Sequence, residues 1–190
     1  MLAAGYLIKR VVPPPGWLEV GPTHIVDVCS VADCVNDNVV DVQEAWEHNS
    51  FGLANTPDTL TALAAKQGLG TEGAVLFYYT AYEYELESDG WNFDASEWRA
   101  RKPTPSSSVP DAVELPPEDA TLLGYDVVVF EDYLSHSPLS CNSVAKHLPV
   151  NKHCLFNELA EAVAAIDAGA FGGGCEEGVY TVFSVHRMAR

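Results

Sequence analysis

The chain has 190 residues, 47% of them hydrophobic and 10% aromatic, which is one domain's length with ample apolar material for a core. Against 27 acids stand only 10 Lys and Arg, for a formal net charge of −17 at pH 7. A field of that sign repels nucleic-acid backbones and anionic bilayers, so neither nucleic acid nor membrane is expected as a partner.

Residues 5–12 read as a strand that Pro13, Pro14 and Pro15 end, because proline donates no ladder hydrogen bond. Residues 24–29 read as a second strand. Val39, Val42 and Trp46 fall on one helical face that Asn36 or Asp37 would cap. A better helix follows, with Thr56 at the N-cap, Pro57 at the first helical position, Leu60, Leu63 and Ala64 inward, and Gly68 past the end. Residues 74–86 give the strongest strand pattern, buried on both sides at first and then carrying Glu83 and Glu85 on a face expected in water.

A Pro/Ser-rich excursion covers about 88–120. Beyond it, 125–130 reads as a central strand, Ser137–His147 as a short helix, Asn157 as the cap of another helix ended by Gly169, and 178–186 as a last strand. Strands and helices do not alternate strictly. The expectation is a single α+β domain over 1–190, with a mixed or mainly antiparallel sheet of about five strands and helices packed on it. No internal repeat is legible.

No apolar run reaches the roughly 18 residues of a membrane span. At the N-terminus Lys9 and Arg10 follow the apolar residues, an order unlike a secretory leader, so the expected location is the cytoplasm. Cys29, Cys34, Cys141, Cys154 and Cys175 are odd in number and irregularly spaced, which argues against a disulfide scaffold.

The stretch Ser135–Ser143 is the best candidate for covalent chemistry. A cysteine in a helix's first turn feels free N–H groups that favour its thiolate, so Cys141 is a candidate nucleophile, with His136 or His147 as base. Cys29, Cys34, His153 and Cys154 invite a zinc reading, but adjacent His153 and Cys154 are poorly spaced for joint ligation, and no metal or other cofactor is expected. Gly172–Gly173–Gly174 precedes a strand and two glutamates, a poor setting for phosphate.

Tyr82, Glu83, Tyr84, Glu85, Glu87 and Trp91 set aromatics among acids, a combination suited to a protein partner with a basic surface. An average composition would give roughly 24 acids and 24 bases at this length. The 27 acids are ordinary; the bases are missing. The expected function is binding or regulation of a basic protein, and the alternative is a cysteine-dependent hydrolase or transferase built on Cys141.

Overall fold

The computed structural model describes the chain apart from residues 19–23, 33–34, 36, 89–97, 101–108, 111, 131–133, 173, 177 and 190, and the side chains of 83–88, 98–100, 130, 134–135 and 179. Its strands are β1 (Leu2–Arg10), β2 (Asp37–Asn38), β3 (Val75–Ser88), β4 (Trp98–Ala100), β5 (Thr121–Phe130), β6 (Leu134–His136) and β7 (Gly178–Arg187), with helices α1 (Pro57–Gln67) and α2 (Leu159–Asp167). They form one sheet in the order β2-β1-β3-β7-β5-β6, with β4 also on β3. Every pairing between these strands is antiparallel, so the mixed alternative falls away. Among the described residues the protein is mainly sheet, with two α-helices. Among the described residues no helix is long and apolar enough to cross a membrane.

The sheet is built twice. β1 and β3 pair in the first half, β5 and β7 in the second, and β3 meets β7 between them. In each half an asparagine anchors the loop before the helix. Asn49 Nδ2 donates to Ala4 O at 2.8 Å, and its Oδ1 accepts from the amides of Phe51 and Leu53. Asn151 Nδ2 donates to Leu123 O at 2.8 Å, and its Oδ1 accepts from His153 and Leu155. Both are Asx turns, in which the side chain does the work of a backbone turn. Each loop then bonds the start of its strand in both directions: Tyr6 with Ala54, and Tyr125 with Phe156. The equivalences continue through Gly52 and Cys154, both at positive φ (72° and 62°), and through the two helices. The expectation of no repeat is therefore corrected. Gly5 and Gly124, Tyr6 and Tyr125, Asn49 and Asn151, Leu53 and Leu155, and Asn55 and Asn157 keep the same residue, but these short motifs are separated by different lengths of chain in the two halves, so a fixed-period reading of the sequence misses the duplication.

Each half fills largely its own core. One apolar cluster joins β1, β3 and α1 through Tyr6, Phe77, Tyr79, Leu60 and Leu63; another joins β5, β7 and α2 through Val127, Val129, Tyr180, Val182 and Ile166. Central β5 residues alternate between them, Val128 to the first and Val127 and Val129 to the second, the period-two signature of a strand buried on both faces. Between the halves lies a polar clamp. Buried Lys9 donates to the carbonyls of Ser30, Val31 and Ala32 at 2.7–2.9 Å. Buried Asp126 accepts from Ser30 Oγ and the Val31 amide at 2.8 Å, and from Ser137 Oγ at 2.6 Å.

Local signals were most informative where capping chemistry is strong. Thr56 Oγ1 caps α1 by accepting from the Thr59 amide, Pro57 opens the helix, and Gly68 closes it at φ 66°. α2 begins one residue later than its expected Asn157 cap, because Glu158 and Glu161 form a reciprocal capping box. Residues 24–29 are not a strand; the amides of Val26, Asp27 and Cys29 bond instead to the loop carbonyls of Lys152 and His153. The expected helix on Val39, Val42 and Trp46 contracts to a single turn. Ser137–His147 holds turns and a 3-10 helix only at Val144–His147, so Cys141 precedes any helix and has no helical N-terminus beneath it.

Candidate functional site

The sulfur of Cys141 lies in a disulfide. In this form it has no thiol to ionise and so does not present the nucleophile that the sequence suggested. His136 ends β6 and is partly buried, while His147 is exposed at the end of the 3-10 helix. A small cleft of about 230 Å³ is lined by His147, Asn142, Lys146 and Cys175, but not by Cys141. Burial and the neighbouring Glu176 push the Cys175 thiol up to about 11, the opposite of activation.

Of the aromatic and acidic strand end, Tyr82 is partly buried against the second-half core. The side chains of Glu83, Tyr84, Glu85 and Glu87, and all of Trp91, lie outside the described residues. The backbone there is paired on both sides, with Glu85 opposite Thr181 of β7 and Arg99 of β4.

Trp46 supplies a second aromatic and acidic feature. Asp41 caps one turn of helix by accepting from the amides of Gln43 and Glu44 at 2.9 Å. The turn closes with Trp46 N–H donating to Gln43 O and Glu47 N–H to Val42 O. That is a Schellman closure with Trp46 at its left-handed residue, φ 57°. α1 and α2 end on the same pair of bonds, and there the left-handed residues are Gly68 (φ 66°) and Gly169 (φ 70°). Glycine carries no Cβ penalty in this conformation, whereas tryptophan does. The residue is 71% exposed, so core packing does not repay that strain, and exposed Asp41, Glu44 and Glu47 flank it in the chain. No Lys or Arg occurs between Arg10 and Lys66. Sequence periodicity placed Trp46 on the inward face with Val39 and Val42; those valines are buried, but the helix ends before the tryptophan can follow them.

A third group gathers where segment 24–29 lies on the Asn151 loop. His153 Nδ1 donates to Asp27 Oδ1 at 2.5 Å, and the Cys29 thiol lies 3.5 Å from the same oxygen. Arg187 places a guanidinium nitrogen 3.8 Å from Asp27 Oδ2 and 4.0 Å from Cys29 Sγ. Burial first, and then the Asp27 charge, push the Cys29 thiol up to about 12, so it is protonated at neutral pH. Cys29 and His153 were both legible as ligand types; Asp27 was hidden within a stretch read as a strand. Cys154 is buried in the second-half core, and Cys34 lies outside the described residues. Comparison with protein-family models, curated proteins and solved structures gives no match, so these groups stand on their own geometry.

Proposed function

We propose that this is a binding protein whose partner is a protein with a basic surface, and that Trp46 anchors the contact. The observation that carries the reading is the exposed tryptophan in a left-handed position that the ends of α1 and α2 give to glycine. Backbone strain that folding does not use is characteristic of functional sites. Tryptophan is a preferred interface anchor, since its large rigid area is desolvated at little entropic cost. The acids Asp41, Glu44 and Glu47 around it, within a chain of charge −17, favour and steer a cationic partner. The acidic strand end at Tyr82, Glu83, Tyr84, Glu85, Glu87 and Trp91 belongs to the same proposal as a second face for such a partner.

The test is binding of the full chain to a panel of Lys- and Arg-rich peptides and folded basic proteins, at low and raised salt. The expected result is salt-weakened binding that Trp46→Ala removes while the fold, followed by circular dichroism, is kept. Absence of salt-dependent binding across the panel, or equal binding by Trp46→Ala, overturns the reading.

A further inference from the structure

We propose that Asp27, Cys29 and His153 form a binding site for a zinc-class divalent cation. Among the described residues they are the one group of this kind whose ligand atoms, one per residue, all lie within 4.8 Å of one another. Thiolate, imidazole and carboxylate together suit a borderline-soft ion such as Zn2+ or Co2+. Three protein ligands leave a coordination position for water or a further ligand.

The distances are close to what coordination requires. With Zn–S of about 2.3 Å and Zn–O of about 2.0 Å, a tetrahedral S···O edge is about 3.5 Å. Cys29 Sγ and Asp27 Oδ1 are already 3.5 Å apart. The His153–Asp27 pair, at 2.5 Å, holds a proton where an ion would sit and must open by about 0.8 Å to reach a tetrahedral N···O edge. Small side-chain rotations supply that much. On entry of the ion the imidazole proton moves from Nδ1 to Nε2, the thiol proton leaves to solvent, and both vacated lone pairs bind the metal.

Two independent observations favour the site over a structural tie. The position equivalent to His153 in the first half is Phe51, buried and edge-on to Phe183 at 6.1 Å between ring centroids. The same Asx loop therefore folds with an apolar ring there, and the duplicated scaffold does not require an imidazole. Arg187 already brings a cation to Asp27 and Cys29, which marks the pocket as one where positive charge is favourable. The Arg187 side chain is 37% exposed, so its outer end can turn towards solvent as an ion enters.

The experiment titrates the full, chelator-treated chain with Co2+ and follows thiolate-to-cobalt charge-transfer absorption, then displaces the cobalt with Zn2+. One equivalent of cobalt giving that band, its loss on Zn2+ addition and its absence in Cys29→Ser support the site. His153→Gln and Asp27→Asn should keep the band but weaken cobalt binding by about tenfold or more. No band, or a band that survives in Cys29→Ser, overturns the proposal. If Cys29→Ser fails to fold, the other two variants decide: unchanged cobalt affinity in both refutes it.

Discussion

Gly5 and Gly124 are the same residue of a duplicated unit: each lies at positive φ, 135° and 149°, under the carbonyl of the segment bridging to the next strand position, Ala54 O and Phe156 O. Each also marks the register shift at which its strand bends against its neighbour. A Cβ at Gly5 would come within 2.6 Å of Ala54 O and 2.8 Å of Leu53 Cβ, and at Gly124 it would strike Phe156 O and the Leu155 side chain. These obstacles are backbone and loop atoms fixed by the Asn49 and Asn151 turns, so they cannot move aside cheaply. Gly5→Ala and Gly124→Ala are each expected to cost about 2–4 kcal/mol of stability, with similar values because the surroundings match. Chemical denaturation measures both. A neutral result for either would break the equivalence.

The clamp between Lys9 and Asp126 makes a different prediction. Lys9 spends its three ammonium protons on three carbonyls, and its charge also offsets that of buried Asp126. Lys9→Met keeps the stem but strands those carbonyls and leaves the carboxylate with less compensation. A loss of about 3–5 kcal/mol is expected at neutral pH. Burial already raises the Asp126 carboxyl above its usual range, against the lowering effect of its hydrogen bonds and of Lys9. A carboxyl raised in the folded state favours folding at low pH and loses that contribution as pH rises through its folded value. Removing Lys9 raises it further, so the deficit of Lys9→Met should shrink as pH falls towards about 4. Urea midpoints of both proteins across that range check the sign.

How much of this was legible follows the range over which each interaction acts. α1 was readable to the residue because Thr56, Pro57 and Gly68 act within one turn of their own position. The long strands showed themselves through alternation, with Phe77, Tyr79 and Ala81 buried on one face of β3 and Tyr78 on the other. The zinc-class cluster was half visible: Cys29 and His153 stood out as ligand types, but their meeting depends on the Asn151 loop receiving the 24–29 segment, a contact across more than a hundred residues. The disulfide at Cys141 was missed because cysteine spacing speaks only to local frameworks. Trp46 was misplaced because periodicity reports a face and not where the helix stops. The missing signal was a helix end without glycine or asparagine.

His186 is expected to contribute to the acid limb of the stability curve. It lies on β7 opposite Tyr78 and Leu122, with Nε2 2.9 Å from Ser184 Oγ and its ring 5.7 Å from that of Tyr78. Half-burial lowers its pKa by disfavouring the imidazolium. A depressed histidine contributes stability that is present above the unfolded value of about 6.5 and lost as pH falls through the folded value, because the unfolded chain takes up the proton first. His186→Gln should therefore flatten the decline in melting temperature between about pH 7 and pH 5. An unchanged slope would place the acid sensitivity elsewhere.

Trp46→Gly separates folding from binding most sharply. At φ 57° the tryptophan carries left-handed strain that glycine does not, and at 71% exposure it gives up little burial when its side chain is removed. The substitution lends the unfolded chain extra freedom, which offsets part of the gain. The net expectation is a protein more stable by up to about 1 kcal/mol. If the ring serves a partner, the same variant binds basic proteins more weakly than the parent while it melts higher. That opposition is what a residue kept for function at the expense of the fold should show. A tryptophan kept for packing would instead lose stability on going to glycine, and melting curves of the two proteins side by side distinguish the cases.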